Sequence, residues 1–260
     1  MNFILGMQIN KIQFNINNNF SFKSTARHYQ NNLGDEFGCN SWMFRNDVDW
    51  KNLTKIEEEN FKNKNKVNIV MFASSDGSEA YSKIISLYEH FGIENPEEAE
   101  KFFPIQAYDV DKEILDSAKS GFIKTSMMDR MELQMHSENY EDYFEKTKEE
   151  LKLNNDIPLQ REKTLKAKNK LTKNVNFEYG DMFQKVTEIK DNSDTILMCR
   201  NILGYFVSDK IEKFIQKASM ALKKDSLFIV GDHDSRLFDI HSCMRKYGFR
   251  ELIHNVYKKI

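Results

Sequence analysis

Three prolines, three cysteines and no long apolar run in 260 residues set the first limits on this chain. Cys39, Cys199 and Cys243 are an odd number with no C-x-x-C spacing, which speaks against a disulfide framework and a zinc site and implies a reducing compartment. No metal is expected. No stretch approaches the length that crosses a bilayer, and Met1-Asn-Phe-Ile-Leu-Gly6 has neither the basic start nor the apolar length of a secretion signal. A cytoplasmic protein without membrane insertion is therefore expected. Surplus basic charge is missing too: 38 Lys and Arg against 40 Asp and Glu leave a net charge of -2, which argues against a nucleic-acid partner. What remains is 40% apolar and 30% charged, an ordinary globular composition long enough for one α/β domain with appendages.

Residues 1–66 form an N-terminal segment rich in Asn and Lys. Its partial alternation through Ile9, Ile12, Phe14 and Ile16 predicts a strand, and Lys62–Lys66 reads as a connector. A larger domain, 67–260, follows. Val67–Ala73 reads as a buried strand, and Glu79–Phe91 as a helix that ends at Gly92. Asn95-Pro96 starts another helix, Ile105–Tyr108 is a short strand, and Lys112–Lys119 is a helix closed by Gly121. Strands at Val175–Tyr179, Thr195–Cys199 and Leu227–Val230 alternate with helices at Asp209–Leu222 and Leu237–Tyr247, and Phe249–Tyr257 is strand-like. Such alternation predicts a parallel sheet covered on both faces. The interruption at about 125–174 reads as an inserted subdomain, helical around Met128, Met131 and Met135. It ends in a Lys-rich stretch from Arg161 to Lys173, either a solvated face or a dock for an acidic segment.

Ligands of open α/β sheets bind beyond the carboxyl ends of the strands, near the point where strand order reverses. Ala73-Ser-Ser-Asp-Gly77-Ser-Glu79 is the turn after the first strand of that sheet, and small residues such as Ser75 and Gly77 let a ligand approach the backbone. It has neither G-x-G-x-x-G nor a P-loop lysine, so hydride and phosphoryl transfer lose ground. Glu79 is either a dipole complement for its helix or the counter-charge for a ligand ammonium. Asp109, ending the second strand, can bind both hydroxyls of a ribose while Asp111 caps the helix that follows. Gly180-Asp181-Met182 and Cys199-Arg200-Asn201 end two further strands and supply hydrogen bonds and an apolar wall.

Together these segments resemble the chemotaxis-receptor methyltransferase family, which methylates glutamate side chains from S-adenosylmethionine. Met71-Phe-Ala-Ser-Ser-Asp-Gly-Ser-Glu-Ala-Tyr-Ser82 is similar to its A-S-T-G-E-E-P-Y-S turn, and Ala107-Tyr-Asp-Val-Asp111 to its A-S-D-I-D strand end. Cys199-Arg-Asn-Ile-Leu-Gly-Tyr-Phe206 resembles C-R-N-V-x-I-Y-F, and Cys39-Asn-Ser-Trp-Met-Phe-Arg45 resembles N-x-T-x-F-F-R. Ser78, Ala80, Cys39 and Asp181 stand where the family has Glu, Pro, Asn and Asn.

The resemblance implies a Rossmann-like class I methyltransferase fold, with a mostly parallel seven-stranded sheet, helices on both faces and a small inserted subdomain. It implies a cofactor site lined by Ser75, Gly77, Glu79, Asp109, Asp181, Met182, Arg200 and Asn201, with Ser41, Arg45 and Tyr205 around the methyl group and the incoming carboxylate. Arg45 and Tyr205 would be catalytic, S-adenosylhomocysteine the product, and an acceptor protein such as a chemoreceptor cytoplasmic domain the partner of a monomeric enzyme. A carboxylate is already ionised near neutral pH, so no general base is needed. The alternatives are a same-fold methyltransferase for another protein or a small molecule, and an inactive cofactor-binding regulator.

Overall fold

The structure, a computed structural model, describes residues 27–30, 36–39, 41–92, 95–137, 139–146, 163–190, 193–235 and 238–260. The strand expected between Ile9 and Ile16 lies outside the described residues. An antiparallel pair, β1 (Arg27–Gln30) and β2 (Glu36–Cys39), precedes the helix α1 (Trp50–Asn60), whose N-cap Asp49 accepts from Asn52 N at 3.1 Å.

The main sheet follows from short apolar strands set between capped helices. β3 (Asn68–Phe72) leads through a tight turn into α2 (Ser78–Phe91), which stops at Gly92 with φ 70°. After the short α3 (Pro96–Glu100), β4 (Ile105–Asp109) leads into α4 (Lys112–Ser120), capped by Asp111, which accepts from Glu113 N and Ile114 N. Next comes a three-stranded antiparallel sheet in the order β5-β7-β6: β5 (Phe122–Thr125), β6 (Phe144–Lys146) and β7 (Lys163–Ala167). Its first two strands flank α5 (Met127–His136), and α6 (Asn169–Thr172) returns the chain to β8 (Val175–Tyr179). The remaining elements are α7 (Met182–Lys185), β9 (Thr195–Met198), α8 (Ser208–Ala221), β10 (Leu227–Ile229), α9 (Ile240–Lys246), β11 (Phe249–Ile253) and β12 (Val256–Lys259).

Seven strands join in the order β11-β12-β10-β9-β3-β4-β8. The five from β10 to β8 are parallel, while β12 runs antiparallel to both β10 and β11. Alternate side chains serve opposite cores, as a buried strand requires. Ile69 and Met71 pack with Leu53 of α1 and Ile84 of α2, whereas Val70 and Phe72 pack with Phe214 and Ile215 of α8. Strand order reverses at β3, with β4 and β8 on one side and β9 and β10 on the other, so a crevice opens at the carboxyl ends of β3 and β9.

Three details differ from expectation. Phe249–Tyr257 is not one strand but the hairpin β11–β12, because Asn255 takes a left-handed φ of 65°, which Asn tolerates better than most residues. Helix α9 begins at Ile240, where Asp239 caps it by accepting from Ser242 N at 3.0 Å, and Leu237, the start that the sequence predicts, lies outside the described residues. The small sheet starts at Phe122, just ahead of Thr125, and its β7 lies within the Lys-rich stretch. Two of those lysines pack on aromatic rings: Lys166 sits 4.1 Å from the Phe122 ring and Lys170 4.5 Å from Tyr143. Among the described residues no helix is long and apolar enough to cross a membrane, and no His, Cys, Asp and Glu group has the arrangement of a metal site.

Candidate active site

The turn after β3 is built from left-handed residues: Ala73 at φ 56°, Ser75 at 51° and Gly77 at 85°. Gly77 is required on two counts, because a Cβ there would also sit 2.8 Å from the Phe177 ring. Ser75 N donates to Asp109 Oδ2 at 2.8 Å, and Asp111 N donates to Oδ1 at 3.0 Å. Asp111 caps α4 as the sequence suggested, and Asp109 has a structural task of its own. Its carboxylate ties the two strand ends together, and beyond the N–H groups of Ser75, Val110 and Asp111 it keeps acceptor capacity for a ligand hydroxyl. Burial pushes its pKa up, against the pull of these N–H groups. Gly180 N continues the link by donating to the Asp109 carbonyl at 3.0 Å. Asp181 then caps α7, accepting from Phe183 N at 2.7 Å, with Met182 buried behind it.

Glu79, in the first turn of α2, has a side chain only 15% exposed and lies 3.3 Å from Nη1 of Arg200. Burial raises its pKa and Arg200 opposes the shift. Arg200 is fully enclosed, 5.0 Å above the Trp50 ring. Burial works against its charge, yet Glu79 and Asp47 together outweigh it and raise its pKa. Asn201 follows with φ 59°, its N–H donating to Asp234 Oδ2 at 2.8 Å. Asp234 also accepts from Gly231 N, Leu203 N and Gly204 N, and so fixes the loop that carries Tyr205. The Tyr205 ring packs 4.7 Å from that of His233.

Arg45 reaches this cluster from the other side. Its loop, opened by the half-buried Ser41, is held by Met43 N donating to Asp129 Oδ1 and Phe44 N donating to Ser82 Oγ, both at 2.8 Å. The Phe44 ring stacks on His136 at 4.3 Å. The Arg45 guanidinium lies 3.5 Å over the Trp42 ring, half-buried, and feels Asp47, Glu79, Arg200 and Tyr205. Burial lowers its pKa while the two carboxylates hold it up.

The structure therefore gathers Arg45, Glu79, Arg200, Asn201 and Tyr205 into one charged group. Ser75, Gly77, Asp109, Asp181 and Met182 stand at the neighbouring strand ends. Sequence reasoning missed Asp47, Asp234 and Asn255. Asp47 follows Arg45 by two positions and Asp234 closes an acidic run after β10, but neither pattern states its partner. A cavity of about 340 Å³ lined by Tyr81, Lys119 and Phe177 lies elsewhere, against β8.

Residues 40–250 match the CheR methyltransferase, SAM binding domain. The chain belongs to the CheR methyltransferase family. No curated protein matches it by sequence. Solved methyltransferase structures match at low similarity. A TehB-like SAM-dependent methyltransferase from Corynebacterium glutamicum is 11% identical over 80% of this chain and 88% of its own, with a TM-score of 0.38. Magnesium protoporphyrin IX methyltransferase from Synechocystis with bound SAH is 9% identical over 77% and 71%, TM-score 0.37. An arsenic (III) S-adenosylmethionine methyltransferase from Chlamydomonas reinhardtii is 12% identical over 70% and 51%, TM-score 0.37, so the chain spans about half the length of that protein.

S-adenosylmethionine is the cofactor of this CheR-family domain, and the donor set suits it. Asp109 offers paired acceptors to a ribose, Glu79 an enclosed carboxylate to an ammonium, and the left-handed turn leaves backbone close to the crevice. Asp181 and Met182 supply one acceptor and one apolar surface at the next strand end.

Proposed function

We propose that this chain methylates a glutamate side chain of an acceptor protein, as a monomer in the cytoplasm, with a chemoreceptor cytoplasmic domain as the acceptor. The observation that carries this reading is Arg45, a half-buried guanidinium stacked on Trp42 beside Glu79 and Tyr205. Bound S-adenosylmethionine supplies an electrophilic methyl carbon, so a carboxylate oxygen gains the methyl as the carbon–sulfur bond breaks, and no proton moves.

The protein's part is to align and to exclude water. Arg45 holds one oxygen of the acceptor carboxylate and leaves the other to attack, a task for which a planar donor fork is suited. Tyr205 walls the approach with its ring and offers its hydroxyl to the acceptor. The Trp42 ring covers one face of the partly buried Arg45, which strengthens its grip on an anion. Asp109 and Glu79 hold the cofactor's sugar and ammonium, assisted by Ser75, Gly77, Arg200 and Asn201.

The test is transfer of labelled methyl to purified glutamate-bearing receptor segments, set against glutamine versions and a panel of small acceptors. Label on the glutamate segment that alkali releases as methanol is the expected result. Label that resists alkali, or that goes only to a small acceptor, refutes the proposal.

A further inference from the structure

Asp47 joins parts of the site that are 153 residues apart in the chain. One of its carboxylate oxygens accepts from Nη2 of Arg200, the other from Nδ2 of Asn201. The same Nη2 also donates to the Arg45 carbonyl at 3.1 Å. The Asp47 carbonyl accepts from Asn255 Nδ2 at 2.8 Å, and Asn255 is held in turn by Asp232 at 2.7 Å. Residues 45 to 47 are thereby fastened to the end of β9, where Arg200 also faces Glu79.

The fastening is specific about which atom is which. The Asn201 amide cannot turn over, because its Oδ1 accepts from His233 N at 3.1 Å. It is also wedged in place: a Cβ at Gly231 would lie 2.4 Å from it. Only an acceptor can face its Nδ2. Asp47 is buried and does not cap α1, since Asp49 performs that task.

We infer that Asp47 is a positioning residue that clamps the Arg45 loop onto Arg200 and Asn201, so that filling the cofactor crevice tightens the acceptor side of the site. The inference rests on the reading of Arg45 as the acceptor-holding group. Its test needs no acceptor. Arg200 is shared between Asp47 and Glu79, and a ligand ammonium that engages Glu79 leaves Arg200 more fully to Asp47. Neutralising Asp47 does the reverse, and whichever way the new amide turns, its NH2 opposes a donor of Arg200 or of Asn201, which loosens the loop although its backbone tethers to Arg200 and Asn255 remain.

The chain's two tryptophans, Trp42 and Trp50, both report on this loop. Trp42 lies under the Arg45 guanidinium, and Trp50 Nε1 donates to the Arg45 carbonyl at 3.0 Å. In Asp47→Asn, acrylamide quenching of tryptophan fluorescence is expected to rise about threefold, and the protection that S-adenosylhomocysteine gives the wild type to vanish. Affinity for S-adenosylhomocysteine should stay within about threefold, and Asp47→Glu should recover part of the protection. A folded Asp47→Asn protein with unchanged quenching overturns the clamp. So does one that simply loses the cofactor, which would make Asp47 part of the cofactor site. Should the variant not fold, amide exchange of residues 41–47 in the wild type decides. Slowing by about tenfold on adding S-adenosylhomocysteine supports the clamp, and no change overturns it. A glutamate segment that takes up no methyl while the quenching behaves as expected discards the acceptor and keeps the clamp.

Discussion

Replacing Asp109 by Asn separates the structural job of its carboxylate from the cofactor-binding job proposed for it. In the wild type its oxygens accept from Ser75 N and Asp111 N, which joins the turn after β3 to the end of β4. Asparagine keeps the shape but offers one acceptor, so its NH2 must face one of those N–H groups. An orphaned buried donor of this kind costs about 1 to 3 kcal/mol. In a domain of this size that lowers the thermal midpoint by roughly 2 to 4 °C per kcal/mol. The second job, proposed for it here, is to accept from the ribose hydroxyls of the cofactor, where charged hydrogen bonds are lost as well. A weakening of about 1 to 3 kcal/mol corresponds to a rise of roughly 5- to 150-fold in the dissociation constant. Titration calorimetry with S-adenosylhomocysteine and a parallel thermal scan read the two effects independently. A lowered midpoint with an unchanged dissociation constant would show that Asp109 only builds the turn, and the cofactor assignment at β4 would fall.

Arg45→Ala should keep S-adenosylhomocysteine affinity within about threefold while turnover on the methyl acceptor drops by about 100-fold, because the loss falls on alignment; calorimetry that shows lost cofactor affinity would reassign the residue. Glu57→Gln strands Lys83, since both side chains are fully buried and paired, and the expected cost is about 3 to 5 kcal/mol in urea unfolding at neutral pH. Burial already lowers the Lys83 pKa, so that loss should shrink as pH rises toward the ordinary lysine range, and a pH-independent loss would contradict it. Burial lifts Asp234 to about 6 despite four backbone N–H donors, so the folded state holds its proton more tightly than the unfolded chain does. Its contribution to stability is therefore greatest at low pH and is lost as pH climbs through about 6. Relative to Asp234→Asn, the wild type should lose roughly 2 kcal/mol between pH 4.5 and 7.5, and a gap that does not move would refute the shift.

The legible part of this fold is the part that local rules control. β3, β9 and β10 read as short apolar runs because these strands are buried on both faces, β4 and β8 alternate toward the sheet edge, and α4 shows its cap, Asp111, and its stop, Gly121. The hairpin β11–β12 was hidden because its apolar alternation runs on through a turn that depends on one left-handed asparagine. Asn255 is also the residue that reaches across to the Asp47 carbonyl, so the feature missed in the fold is one missed in the site.

The same division holds at the crevice. Glu79, Asp109 and Arg200 are visible because strand ends are where an α/β sheet binds its ligands, a rule that needs only the order of elements. Asp47 and Asp234 obey no such rule. Asp47 finds Arg200 across 153 residues, and Asp234 finds Asn201 across 33 through the backbone N–H of a left-handed residue. Asp47 holds a loop from ahead of the sheet against the strand ends, and Asp234 fixes the strand-end loop that receives it. On the inference drawn above, Asp47 supplies the differential contact by which one half of the site senses the other. If that is so, Asp47 matters more to the pairing of cofactor with acceptor than to the binding of either alone, and a cycle of Asp47→Asn with Arg45→Ala should be non-additive in turnover. Simple multiplication of the two losses would mean that Asp47 and Arg45 act separately, and the loop would then be a neighbour of the site without being coupled to it.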